Sequence, residues 1–206
     1  MKKNKTIGID YSLSSPAICV CRGKFKFENC KIYYLTNVKK YEGKFYNGQI
    51  DGRLHLPYTS EQQRHDQISE WALSVIGTAI GNIFIEGYSF GSKGLVFNLA
   101  ENMGTLKHKL YVLNKRFQSI VPGQIKKNAT GKGNADKLKM YEQFVKDTKI
   151  DLVKEFDQTK LNNPVTDIVD SYYIAKYGAN LYMFSFCSHI NSCLLYTSPS
   201  PRDRTT

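Results

Sequence analysis

Acidic residues end two apolar runs that are far apart in this sequence. Asp10 follows Ile-Gly-Ile, and Glu86 follows Ile-Phe-Ile. A carboxylate at the end of a buried strand is costly to desolvate unless a cation or hydrogen bonds compensate its charge. Asp167 and Asp170 add two acids at a three-residue spacing, which places both on one face of a helix. The four acids predict a cation site built from oxygen ligands.

Each acid alone has a simpler interpretation. A strand-end aspartate such as Asp10 often caps a turn, and an Asp-x-x-Asp pair on a helix is usually a solvated face. Glu86 is harder to explain in this way because the residues before it are apolar. The histidines show no ligand spacing; they are His55, His65, His108 and His189. The joint occurrence of the four acids therefore carries the prediction.

The chain as a whole is basic, with 29 Lys and Arg against 18 Asp and Glu and a net charge of +11. Such a balance suits a polyanionic partner, although surface charge also simply keeps proteins soluble. A cluster of acids inside a basic chain favours a phosphate substrate. Positive surface attracts the phosphate, while carboxylates hold the metal that promotes attack on it.

Length and composition predict one globular domain over residues 1–192. The five cysteines are odd in number and lack paired Cys-x-x-Cys spacing, which favours reduced thiols in a cytosolic protein. The apolar run after the basic N-terminus is too short for a signal peptide or a membrane span. Residues 193–206 resemble a translated sequencing adapter, so we expect a non-native tail and a truncated natural C-terminus.

Hydrophobic periodicity predicts alternating elements after an initial meander. The predicted strands are residues 5–10, 17–22, 31–35, 83–85 and 117–121. The predicted helices are residues 60–76, with Thr59 or Ser60 as cap, 95–115, 135–147, and a last helix with Asn163 as cap and Pro164 at its first position. Residues 39–57 and 126–134 are predicted loops. These elements indicate an α/β domain with a mixed five-stranded sheet.

Several motifs occur in the order and spacing of a known family. They are residues 8–12 (Gly-Ile-Asp-Tyr-Ser), Ile85-Glu86, Gln124-Ile125-Lys126-Lys127, residues 131–137 (Gly-Lys-Gly-Asn-Ala-Asp-Lys) and Asp167-Ile168-Val169-Asp170-Ser171. By these motifs, over about residues 5–178, the chain resembles the RuvC-like Holliday junction resolvases of the ribonuclease H-like superfamily, a type also carried by bacteriophages. The segment between Asp10 and Glu86 is longer than in compact bacterial members.

The resemblance implies a role for each matching residue. The implied metal ligands are Asp10, Glu86, Asp167 and Asp170, which would hold two Mg²⁺ ions about 3.5–4 Å apart, with Mn²⁺ able to substitute. Lys137 would lie near the scissile phosphate and offset developing charge or assist proton transfer. The implied DNA contacts are Lys126, Lys127 and Lys132 on the backbone, with Tyr88 or Phe90 as an aromatic wedge at the junction centre.

The resemblance also implies a homodimer that nicks branched DNA in the cytoplasm of a prokaryotic or phage-infected cell, with the helix at residues 95–115 as the interface. Three alternatives remain from sequence. The same fold could cut flap DNA or RNA–DNA hybrid, or could bind DNA without catalysis. An actin-like kinase shares the Gly-Ile-Asp strand, but 206 residues leave too little room for its two domains.

Overall fold

The computed structural model describes residues 5–78, 81–87 and 96–195, with side chains through residue 181. These residues form a mixed sheet with helices on both faces. The strands are β1 (Lys5–Asp10), β2 (Ala17–Arg22), β3 (Cys30–Thr36), β4 (Gly43–Phe45), β5 (Ile50–Leu54), β6 (Asn82–Glu86) and β7 (Phe117–Ile120). The helices are α1 (Glu61–Ile76), α2 (Val96–Val112), α3 (Pro122–Thr130), α4 (Lys137–Thr148), α5 (Leu152–Glu155) and α6 (Val165–Leu195).

The strand order is β4-β5-β3-β2-β1-β6-β7. Strands β1, β2 and β3 form the predicted antiparallel meander, whereas β6 and β7 continue the sheet parallel to β1, and β5 is parallel to β3. The carboxyl ends of β1, β3, β5, β6 and β7 therefore meet at one side of the sheet, which we call the carboxyl edge. Loops at this edge of an open α/β sheet are where ligands usually bind.

Alternation along β1 assigns its side chains to two cores. Ile7 and Ile9 are fully buried on the face covered by α1 and α2, together with Leu106 and Leu110 of α2. The opposite face is covered by α6, whose buried Ile174 and Ala175 belong to the second core. Strand side chains alternate with a period of two, so Gly8 and Asp10 share the α6 face.

Gly8 is the point of closest approach between the sheet and α6. A Cβ atom at this position would lie 2.2 Å from the backbone nitrogen of Ala175 and 2.5 Å from the carbonyl oxygen of Ser171. Gly178, a turn further along α6, meets Phe84 of β6 in the same way, with a Cβ only 2.1 Å from the ring. Two glycines thus allow the helix to lie directly on the central strands.

The described sheet has seven strands rather than the predicted five, because residues 39–57 are not the predicted loop. They contain β4 and β5, which extend the sheet beyond β3. Ile50 is fully buried, and Phe45 stacks on Phe156 with ring centroids 4.2 Å apart. Lys40 forms an ion pair of 2.8 Å with Asp157. The hairpin is therefore part of the packed domain.

Residues 126–134 are also only partly a loop, since α3 continues through Thr130. Val121 and Pro122 begin this helix, and Gly131 ends it with a left-handed φ of 80°. Proline at the first position and glycine just after the end are the usual helix boundaries. The prediction was wrong because the run of lysines and glycines was interpreted as a loop.

The other predicted helices are present with small shifts at their ends. The cap of α1 is Ser60, whose hydroxyl accepts from the Gln63 backbone N–H at 3.2 Å, while the Gln63 side chain accepts from the Thr59 N–H at 2.8 Å. This is a variant of the capping box, in which the glutamine reaches the N–H of the residue before the cap. Helix α6 begins at Val165, one residue later than predicted, and the Asn163 side chain accepts from the Thr166 hydroxyl at 2.7 Å.

Within the described ranges, no helix combines the length and the apolar character that crossing a membrane requires. Cys19, Cys21 and Cys30 are buried free thiols. Residues 196–206, most of the predicted tail, lie outside the described residues, as do Tyr88 and Phe90.

Candidate metal centre

Two of the predicted acids stand side by side at the carboxyl edge. Ile9 of β1 pairs with Ile85 of β6, so Asp10 and Glu86 are the next residues along two parallel neighbouring strands. Asp10 shares the sheet face of Gly8, and Glu86 shares that of Phe84, by the two-residue alternation of strands. Both therefore lie on the face that α6 covers.

Helix α6 supplies the other two acids. Carboxylate oxygens of Asp10, Asp167 and Asp170 all lie within 4.8 Å of one another. Glu86 is not part of this 4.8 Å group, but it lines the same cleft, whose volume is about 490 Å³. The structure thus brings all four predicted acids to one cleft, with three of them in direct proximity.

A hydrogen-bonded pair holds Asp167 in place, and the sequence did not point to it. The Ser15 hydroxyl donates to Oδ2 of Asp167 at 2.5 Å and accepts from the Asn163 side-chain amide at 2.7 Å. Both Ser15 and Asp167 are buried. Ser15 lies in the loop after β1 and Asn163 just before α6, so the pair joins the two elements that carry the acids.

Lysines from α3 and α4 face the acids. The Nζ atom of Lys137 lies 3.6 Å from Oδ1 of Asp167 and 3.6 Å from Oδ2 of Asp170. Asp136 caps α4 by accepting from the Lys139 backbone N–H at 2.9 Å, which fixes Lys137 as the first residue of the helix. Lys126 of α3 lines the cleft.

Two of the remaining predicted DNA contacts lie outside the cleft. Lys127 on α3 and Lys132 on the following loop are exposed, and neither lines the cleft. Tyr88 and Phe90 fall outside the described residues. The roles of these four residues stay predictions.

Burial, and the charges of neighbouring groups, change the pKa values of the four acids. Burial, together with the charges of Asp167 and Asp170, raises the pKa of Asp10 well above its usual range. Burial raises the pKa of Glu86 to about 7 and that of Asp167 to about 6. Burial also raises the pKa of Asp170, although Lys137 and Lys126 oppose this shift.

This centre therefore carries more negative charge than its own lysines neutralise. Hard carboxylate oxygens are the donors that Mg²⁺ and Mn²⁺ prefer, and the donor set fits such an ion. The acids also affect Lys137. Burial lowers the pKa of its ammonium group, but the charges of Asp170, Asp167 and Asp10 together outweigh burial and raise it. Lys137 is therefore protonated at neutral pH.

The comparisons with known proteins agree with the fold. A scan against protein-family models matches no family, and a search of curated proteins finds no significant match. Among solved structures, Thermus thermophilus RuvC is similar with a TM-score of 0.55 and 14% identity, covering 88% of this chain and 96% of that one. The same protein in complex with a Holliday junction substrate matches with a TM-score of 0.55 and 12% identity, covering 84% and 92%. These similarities confirm the predicted ribonuclease H-like fold.

The raised pKa values predict how pH changes the stability of the metal-free protein. The folded-state pKa values of Asp167 and Glu86, about 6 and about 7, exceed their ordinary values of 3.8 and 4.5. Protonation of these two acids therefore stabilises the folded state. This stabilisation is complete below about pH 4 and is lost as the pH rises through about 6 to 7. We expect the free energy of unfolding in EDTA to fall over this window by on the order of 1–3 kcal/mol, measured by urea denaturation.

Mn²⁺ should reverse that loss, and more strongly at about pH 8 than at about pH 5, because the ion must displace protons from the same carboxylates. Asp10→Asn is the matched control: it removes one repelling charge and one ligand. The variant should show a smaller fall with pH and little stabilisation by Mn²⁺. Equal Mn²⁺ stabilisation of both proteins would contradict a metal site at these acids.

Ser15→Ala should weaken metal binding without unfolding the protein, because it removes the hydroxyl that orients Asp167. Loss of an outer-shell partner typically costs about 10–100-fold in metal affinity, which calorimetric titration with Mn²⁺ would measure. Ser74→Ala is the control, since Ser74 is exposed on α1 and its hydroxyl donates to the Trp71 carbonyl of the same helix, away from the cleft. Unchanged affinity in Ser15→Ala would mean that Ser15 does not position the ligand.

Proposed function

We propose that this protein is a Mg²⁺-dependent endonuclease that hydrolyses phosphodiester bonds in branched DNA, with four-way junctions as its principal substrate. The observation that carries this proposal is the meeting of Asp10, Asp167 and Asp170 within 4.8 Å at the carboxyl edge of the sheet. Glu86 shares their cleft. The net charge of +11 supports a polyanionic substrate.

In this proposal Asp10, Glu86, Asp167 and Asp170 hold two metal ions. Bound Mg²⁺ would supply an activated water and stabilise the leaving oxygen of the phosphodiester. Ser15 keeps the Asp167 carboxylate turned into the cleft, and the burial of Asp167 limits the screening of its charge by bulk water. The carboxylates must be deprotonated to bind the ions, so activity should rise with pH through about 6 to 7.

Lys137 acts as a fixed positive charge in this proposal. Since the neighbouring acids raise the pKa of its ammonium, it stays protonated and is suited to stabilising charge on the phosphate rather than accepting a proton. Lys126, also in the cleft, would hold the adjoining phosphate. Lys127 and Lys132, which are exposed beyond the cleft, would contact the backbone further along the strand.

The proposed preference for four-way junctions rests on one of the similar solved structures, that of Thermus thermophilus RuvC in complex with a Holliday junction substrate. Flap DNA and RNA–DNA hybrid are the alternative substrates for the same centre. A non-catalytic DNA-binding role is a weaker alternative, because all four acids and Lys137 converge here.

A homodimer through α2 is part of the same proposal. The outward face of this helix carries two aromatic residues, Phe97 and Tyr111, which are 82% and 76% exposed. Gly104 lies midway between them, with Glu101 and His108 also exposed on this face. A twofold axis at Gly104 would pair Phe97 of one copy with Tyr111 of the other and bring the two helices close together. Each subunit would then present one metal centre to a two-sided substrate.

The nuclease proposal predicts Mg²⁺-dependent nicking of a labelled four-way junction. Asp10→Asn should lower the cleavage rate by roughly a thousandfold or more while leaving junction binding intact. Lys137→Ala should lower it by about 10²–10³-fold. Lys139→Ala is the control, because this exposed lysine pairs with Asp136 away from the acids. Flap, hybrid and linear duplex are tested in parallel, and cleavage of hybrid alone would refute the junction assignment.

Gly104→Leu should raise the Kd of the dimer by about tenfold or more, because a bulky side chain separates closely packed helices. In the single chain a Cβ at this position meets nothing within 4 Å, so the fold itself should tolerate the change. Glu142→Leu, which adds the same side chain to an exposed position of α4, is the control. Sedimentation velocity reads the outcome, and an unchanged dimer in Gly104→Leu would contradict this interface.

A further inference from the structure

Residues 55–58, which we call the Tyr58 segment, follow β5 at the carboxyl edge. The His55 backbone N–H donates to the Thr36 carbonyl at 3.1 Å, so the segment continues from the end of β5 beside the end of β3. Leu56 is 65% exposed and Tyr58 is 43% exposed. An isolated exposed leucine needs no explanation. Two large apolar side chains exposed on one short segment at the carboxyl edge do need an explanation.

Three contacts outside the strand hold the Tyr58 segment in place. A ring nitrogen of His55 lies 2.9 Å from the Ser14 carbonyl oxygen, and the Pro57 carbonyl accepts from the Gln67 side chain at 3.0 Å. The Arg64 guanidinium lies over the Tyr58 ring, 5.0 Å from its centroid. The side chains of Leu56 and Tyr58 are thus presented to solvent by a fixed backbone.

The segment is built onto the wall of the acidic cleft. Ser14, which His55 contacts, lines the cleft. Arg64 also donates to the Leu13 carbonyl at 3.0 Å, so the Tyr58 contact and the loop after β1 share one guanidinium. Ser15, two residues after Leu13 in that loop, is the residue that holds Asp167. The Tyr58 segment therefore has a fixed position relative to the metal ligands.

The chemistry of this surface suits an unstacked base. An aromatic ring backed by a guanidinium offers a flat apolar face beside a positive charge, and Leu56 adds a second apolar surface. Bases in single-stranded nucleic acid stack on such side chains without regard to sequence. The bases of paired duplex are stacked on each other and are not available for this contact.

We propose that Tyr58 and Leu56 receive an unpaired base of the DNA at the cleft and so make the protein favour branched or single-stranded DNA over paired duplex. This inference rests on the proposed nuclease function, because it takes DNA as the ligand of the cleft. Tyr58 and Leu56 are specificity-determining residues in this view, and the metal centre does not require them.

The test uses the Asp10→Asn protein, which should bind DNA without cutting it. Its substrates are a four-way junction with 2-aminopurine at the branch point, single-stranded DNA and paired duplex. Tyr58→Ala combined with Leu56→Ser should weaken binding to the junction and to single-stranded DNA roughly tenfold, leave duplex affinity unchanged, and abolish the change in 2-aminopurine fluorescence on binding. Tyr58→Phe, which keeps the ring, should behave as the parent protein.

The outcomes separate this inference from the nuclease proposal. If the double variant keeps the parent's preference and fluorescence change, the inference is overturned, whether or not the wild type cuts junctions. If the wild type proves inactive but the double variant loses preference as expected, base contact stands and the nuclease proposal fails. Absence of any binding to branched or single-stranded DNA overturns both. The urea midpoint of each variant, expected to match the parent, excludes unfolding as the cause.

Discussion

The close approach of α6 to β1 is the constraint on which the acidic centre depends. With glycine at position 8, the helix backbone at Ser171 and Ala175 reaches the strand with no side chain between them. Asp167, Asp170, Ser171 and Ala175 follow the three- and four-residue spacing of one helix face. A helix fixed at Gly8 therefore carries its two acids towards Asp10, and a larger residue at this position would move them outward together.

Packing thus forces carboxylates together against their mutual repulsion. The driving force is the burial of apolar side chains on both faces of the sheet; Ile174 of α6 is one of these side chains. Burial of these acids, with a smaller contribution from their neighbours' charges, raises the pKa of Glu86 to about 7 and that of Asp167 to about 6. The fold therefore holds these carboxylates together before any metal binds. A divalent cation that binds there meets ligands that are already assembled, and its charge offsets their repulsion.

The sequence predicted the parts of the fold that depend on local pattern. The strand before Asp10 and the cap of α1 follow from alternation and capping chemistry, and the structure confirms both. The joint pattern of acids also pointed to four residues that the structure brings to one cleft. The spacing of Asp167 and Asp170 placed them on one helix face, but only the packing at Gly8 determines that this face meets Asp10.

What sequence could not reveal depends on partners distant in the chain. Ser15 is an ordinary loop serine until Asp167, 152 residues later, is placed beside it. Strand β5 has Gly52 at its centre and charged residues on either side, so its alternation is weak. Its pairing with β3 brings Gly52 against the Tyr34 ring, with no room for a side chain, and this contact is not visible from local pattern. The aromatic stack of Phe45 on Phe156 is likewise invisible from local composition.

The hairpin β4–β5 also explains how a segment at the far side of the sheet reaches the loop after β1. Strand β5 is parallel to β3 and antiparallel to β4. The chain therefore leaves the carboxyl edge along β4 and returns to it along β5, so both ends of the hairpin lie at that edge whatever its length. This topology brings His55 to the Ser14 carbonyl oxygen, beside the cleft. A hairpin at this place can thus change what borders the cleft without disturbing the strands that carry Asp10 and Glu86.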